Sequence, residues 1–175
     1  MRKFLSRLFS ILSVLSLIFG LYLVYLRYSP RKLAFKTPPV AVAETSHKPV
    51  GLTITSAKIH LPVVLSKIVN NNWEVTTKGV SFLETSEEPG KTGNAVFYGH
   101  NWTSPLGNLV SVKPGDSVEV LMDNGEKKNF TVEYTAVVSP IQTQIIEQTH
   151  DKRVTIYTCT GFLDSKRFVV VAKTI

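Results

Sequence analysis

Residues 113–138 open with Lys113-Pro114-Gly115-Asp116, continue as Ser117-Val118-Glu119-Val120-Leu121, pass through Asp123-Asn124-Gly125, and leave as Phe130-Thr131-Val132-Glu133-Tyr134-Thr135-Ala136-Val137-Val138. The first four residues are a turn that feeds a strand. Asn-Gly supplies the positive φ that a tight turn needs, so the two β-branched runs on either side read as a hairpin. Further short apolar or alternating segments lie to both sides: Leu52–Ile59, Val63–Leu65, Trp73–Thr76, Val80–Leu83, Ala95–Tyr98, Val154–Tyr157 and Phe168–Ala172. Gly, Pro, Asn and Asp cluster between them. Helical periodicity is weak here; Pro105–Val112 and Ile141–Gln148 are expected to give one or two turns each. Regular strand spacing over about 125 residues points to an all-β domain, either a small barrel or a sandwich.

The N-terminus is of another kind. The 175-residue chain carries a formal charge of +7. All of that excess sits in residues 1–36, on Arg2, Lys3, Arg7, Arg27, Arg31, Lys32 and Lys36. The rest is electrically balanced, which argues against nucleic acid as a partner. Between Arg7 and Arg27 run nineteen uncharged residues, Leu8 to Leu26. As a helix they reach roughly 28 Å, close to the hydrocarbon thickness of a bilayer. A cleaved signal peptide has a shorter apolar run and a small-x-small site behind it, whereas here Arg27-Tyr28-Ser29-Pro30 follows. Residues 1–28 are therefore expected to be a short cytoplasmic tail and an uncleaved membrane anchor. The seven residues before the span are too few to fold, which puts the N-terminus inside. Residues 29–50, with Pro30, Pro38, Pro39 and Pro49, are expected to form an extracytoplasmic stalk. The folded domain is then 51–175.

Cys159 is the only cysteine, so no disulfide forms within the chain. It ends the strand pattern Arg153-Val154-Thr155-Ile156-Tyr157-Thr158, just before Gly161. A strand end beside a loop is a usual place for a positioned nucleophile. A thiol also needs a base or a cation near it. Of His47, His60, His100 and His150, only His100 ends an apolar strand, Asn94–Tyr98, after a glycine that permits close approach. Arg167 opens the last strand, and the loop 160–166 can return it to the thiol. Its fork of donors suits a developing oxyanion. No Cys or His spacing suggests a metal, and no cofactor is expected. Structural readings remain for each residue: a small buried hydrophobe for Cys159, a solvated strand end for Arg167.

At these positions the sequence resembles the sortases, cysteine transpeptidases of mostly Gram-positive cell surfaces. Thr155-Ile156-Tyr157-Thr158-Cys159 resembles their T-L-x-T-C signature, with Ile for Leu. Gly99-His100 resembles their histidine site, and Arg167-Phe168-Val169-Val170-Val171 the strand that carries their arginine. The resemblance implies a closed β-barrel of about eight strands with one or two short helices, preceded by the anchor. It also implies cleavage of an L-P-x-T-G-like C-terminal sorting signal through a Cys159 thioester, with transfer to a surface amine from a peptidoglycan precursor or a pilin lysine. His100, Cys159 and Arg167 are the expected catalytic residues. Val96, Phe97 and Ile156 are expected to wall the substrate site, with a hydroxyl or backbone donor from Thr158. The pilin-polymerising members of that family often carry a lid segment with an Asp-Pro pair before the barrel and a second, C-terminal membrane span, whereas here no Asp-Pro precedes the barrel and the chain ends after its last strand. Both departures favour a protein-anchoring type over a pilin polymerase. A cysteine hydrolase and a non-catalytic surface binding module are the competing classes.

Overall fold

A computed structural model describes residues 2–28, 33–36, 46–70, 72–101 and 106–174. It contains one long helix, α1 (Arg2–Tyr28), and ten strands: β1 (Pro49–Ile54), β2 (Ile59–Ser66), β3 (Ile68–Val69), β4 (Asn72–Trp73), β5 (Val80–Leu83), β6 (Gly93–Gly99), β7 (Ser117–Met122), β8 (Lys127–Val138), β9 (Lys152–Thr160) and β10 (Lys166–Lys173). Eight of them close into a barrel in the order β1-β2-β5-β6-β9-β10-β8-β7, while β3 and β4 form a separate two-stranded ribbon. This is the closed barrel that the family resemblance implied, and it excludes the sandwich. The strand readings differ in two places. Leu52–Ile59 is not one strand, because Thr55–Ala57 turns the chain and Lys58 takes a left-handed φ of 55°. Trp73–Thr76 contributes only to β4, outside the barrel.

The β7–β8 hairpin forms as its residues dictate. Gly125 has φ 83° and donates to Met122 O at 3.0 Å. The expected helical turns are 3-10 turns, Gly107–Ser111 and Thr143–Ile146, and two more lie at Thr55–Ala57 and Phe162–Asp164.

Strand alternation separates two apolar clusters. The first draws residues from all eight barrel strands, among them Leu52, Ile59, Phe82, Phe97, Val120, Phe130, Ile156 and Val170, and fills the barrel interior. The second lies on the opposite face of β6, β9 and β10 and includes Val96, Tyr98, Tyr157, Cys159, Val169 and Val171. Trp73 and Ile146 cover part of this face, as do Leu33 and Phe35.

The expected stalk is only partly separate from the barrel. Residues 33–36 pack on the second cluster, and Lys36 N donates to Pro140 O at 3.0 Å. Ser46 N donates to Glu88 Oε2, and β1 itself begins at Pro49. The intervening parts, 29–32 and 37–45, lie outside the described residues. Helix α1 contains one segment, Ser6–Leu26, long and apolar enough to cross a membrane.

Candidate active site

The strand register assembles the site. β10 runs antiparallel to β9 with Arg167 directly opposite Cys159. On the other side of β9, β6 runs parallel and ends with Gly99 opposite Thr158. His100 follows as the next residue, level with Cys159. Cys159 and Arg167, at the two ends of one hairpin, and His100, far earlier in the chain, thus stand in one row across three neighbouring strands. Alternation turns all three to the same side: Cys159 with Tyr157, Arg167 with Val169, and His100 with Tyr98.

Each side chain is held. The Thr158 hydroxyl donates to Gly99 O at 2.8 Å, locking the end of β6 to β9 immediately before His100. His100 O accepts from Leu106 N at 3.1 Å. Burial drives the imidazole pKa below the ordinary value, because the charged form loses hydration; the nearby Asp164 carboxylate pulls the other way. Asp164 is itself buried and accepts from Asn101 Nδ2 at 3.0 Å. Cys159 is 3% exposed.

Arg167 is also buried. Its Nη1 donates to Asp164 O at 3.1 Å and Lys166 O at 2.9 Å, and its Nη2 to Ala34 O at 3.0 Å. Its Nε is buried and finds no acceptor among the described residues. Phe35 lies beneath the guanidinium, 6.0 Å from ring centre to Cζ, and meets Tyr157 edge-on at 5.0 Å. Tyr157 in turn stacks on Tyr98 at 5.5 Å, and Tyr98 meets Trp73 edge-on. Burial raises the phenol pKa of both tyrosines, so both stay neutral. Tyr98 donates to Glu74 O. The floor beside the thiol is therefore an aromatic layer, with Leu33 and Phe35 seated on it.

The four residues expected to contact substrate are placed differently. Phe97 and Ile156 point into the barrel interior, on the face opposite the thiol, because each is an odd number of residues from the outward positions of its strand. Val96 shares the thiol's face but pairs with Thr155, four residues before His100, roughly 13 Å away along the strand. All three are fully covered. Thr158 also faces inward, and its hydroxyl proton is committed to Gly99 O. Its place is that of a clamp between strands. Tyr98, Tyr157, Leu33 and Phe35 were missed. The same period-2 count that places Cys159 outward would have found both tyrosines.

This arrangement puts a thiol between an imidazole and a guanidinium, on an apolar floor, at the edge of a closed barrel. The sortase domain family model matches residues 52–175. Sortase A of Bacillus anthracis is 28% identical over 123 residues, an alignment that takes in 68% of this chain and 56% of that protein. This chain thus spans little more than half the length of that relative. Sortase A of Listeria monocytogenes superposes with a TM-score of 0.58 at 26% identity, covering 71% of this chain and 86% of that one. Sortase C-1 of Actinomyces oris gives 0.63 at 25% identity, covering 73% and 75%. With the barrel order, the register and the matched domain in agreement, the chain belongs to the sortase family.

Proposed function

We propose that this chain is a membrane-anchored cysteine transpeptidase, with Cys159 as nucleophile, His100 as acid and base, and Arg167 as oxyanion donor. The observation that carries the reading is the row His100–Cys159–Arg167 across β6, β9 and β10. The Cys159 thiolate attacks the Thr carbonyl of an L-P-x-T-G-like signal, and the carbonyl π pair moves to oxygen. Arg167 donors stabilise that charge. The tetrahedral adduct collapses to a thioester, and the C–N bond electrons leave with the Gly amine, which takes a proton from the His100 imidazolium. Burial makes this imidazolium a stronger acid than a free one, which helps the poor leaving group depart. An incoming amine then attacks the thioester, gives its extra proton to neutral His100, and expels the thiolate as the new amide forms.

Ala34 O now takes an Arg167 donor that a substrate carbonyl would need, so residues 33–36 must lift before the signal binds. The exposed aromatic layer of Tyr98 and Tyr157 then receives the signal's apolar side chains. Substrates are surface proteins tethered to the same membrane, and confinement raises their effective concentration. The N-terminus is cytoplasmic and the barrel outside. The acceptor is a cell-wall amine, as the missing Asp-Pro suggests. A pilin-polymerising role is the second reading, favoured by the segment seated over Arg167, a lid-like position.

Intact mass spectrometry of the full chain in detergent, incubated with sorting-signal peptides, tests this. An acyl adduct of truncated-signal mass is expected, absent in Cys159→Ala and chased into an amide by added amine. Release as free acid whatever amine is present refutes transpeptidation in favour of hydrolysis. Preference for a pilin lysine over a peptidoglycan amine selects the second reading.

A further inference from the structure

The β9–β10 hairpin ends in Gly161-Phe162-Leu163-Asp164, and its outermost side chain is apolar. Phe162 is 85% exposed and Leu163 41%. The chain holds them outward through three unusual conformations after Thr160: Gly161 at φ 79°, then, beyond Phe162, Leu163 at 50° and Asp164 at 60°. Bulky side chains rarely occupy the left-handed region, so this tip is built to point somewhere. It points toward the membrane-spanning helix. Leu23 and Val24 of α1 line a cavity of about 290 Å³ together with Gly161–Asp164. Within Ser6–Leu26, only Leu23 and Leu26 are half-buried; the rest is exposed.

Depth follows from helix rise. Leu23 lies three residues before Leu26, the outer end of the span, so it sits about 5 Å inside that end. A loop that lines one cavity with Leu23 and Val24 is at the depth where interfacial apolar side chains enter a bilayer, ~5–10 Å into the headgroup and acyl boundary. Lys166 is exposed at the base of the same hairpin.

We infer that the Phe162–Leu163 tip inserts into the outer leaflet beside α1 and docks the barrel on the lipid surface. This rests on the reading of α1 as a membrane anchor. The docked barrel then holds the Cys159 row against the membrane, because Cys159 and Arg167 flank the hairpin that enters it. A signal emerging from its own membrane span meets the thiol within a few residues of the lipid.

The test is Phe162→Trp in the full chain, reconstituted in phosphatidylcholine–phosphatidylglycerol vesicles whose acyl chains carry bromine near the headgroup. An exposed tip tolerates the larger ring, and the wild-type chain gives the background from Trp73 and Trp102. The expected result is that bromine quenches roughly half of the emission added by the introduced indole, as befits shallow insertion. Quenching no greater than background, in a chain that floats with the vesicles, overturns the docking while the anchor stands. A chain that does not float overturns the anchor and the docking together.

Discussion

Leu33 and Phe35 seat four residues of chain over the aromatic face, and the balance of that contact predicts a switchable cover. The two side chains, 0% and 2% exposed, contribute about 3–6 kcal/mol by burial. The Arg167–Ala34 and Lys36–Pro140 hydrogen bonds add about 2–4 kcal/mol. Ordering residues 33–36 costs about 4–8 kcal/mol of backbone entropy. The docked state therefore leads by at most a few kcal/mol. Phe35→Ala removes about 2–4 kcal/mol, counting its edge contact with Tyr157, and inverts the balance. Cys159 shares the covered cluster, so the readout is its rate of alkylation by a small soluble reagent. That rate should rise roughly ten- to a hundredfold, since each ~1.4 kcal/mol is a factor of ten. The barrel interior is untouched, so the stability lost should not exceed the docked state's own lead, a fall in Tm of roughly 10 °C at most. An unchanged alkylation rate refutes the argument. So does a faster rate that comes only with a larger drop in Tm, because the cover would then be part of the core.

Thr158→Val should leave the buried Gly99 carbonyl unpaired and lower stability by about 1–3 kcal/mol, read as a denaturant midpoint. Its kcat should fall with little change in KM, through misplacement of His100, and Thr158→Ser should restore both. For His100 the folded pKa is below the ordinary 6.5, so the unfolded chain takes up its proton first. Stability from this group is present above 6.5 and is lost as pH falls through the folded value. Asp164→Asn removes the carboxylate that opposes the shift; the His100 proton resonance should titrate at lower pH, and an upward move contradicts the assigned field. Gly79→Ala places a Cβ 2.1 Å from Pro62 O at the parallel β2–β5 pairing. It should cost about 1–3 kcal/mol, with the urea midpoint falling and the m-value unchanged.

Much of the barrel was legible because strand and turn signals are local. Alternating runs and Asn124-Gly125 announce themselves within a few residues, and Val80–Leu83 matches β5 end to end. Cys159, His100 and Arg167 stand out in the sequence as strand-end residues, whereas their common row depends on register. Nearness in sequence points to Val96, Phe97 and Ile156 as the substrate wall and to Thr158 as a donor, where alternation sends Phe97, Ile156 and Thr158 inward. The charge and proline content of residues 29–50 gave no hint that Leu33 and Phe35 would bury themselves.

By itself, then, the sequence determined the apolar span of α1, the β character of the body, the hairpin turns and the residue types able to do thiol chemistry. Each depends on the chain's own periodicity or conformational limits. Tertiary structure alone decided that β6 lies parallel to β9, which brings His100 level with Cys159. It also decided that Leu33–Lys36 covers the site and that Phe162 reaches the end of the span. These depend on surfaces that do not exist until distant strands close the barrel: the aromatic layer seating Phe35 is made from β4, β6 and β9, and no single segment carries it.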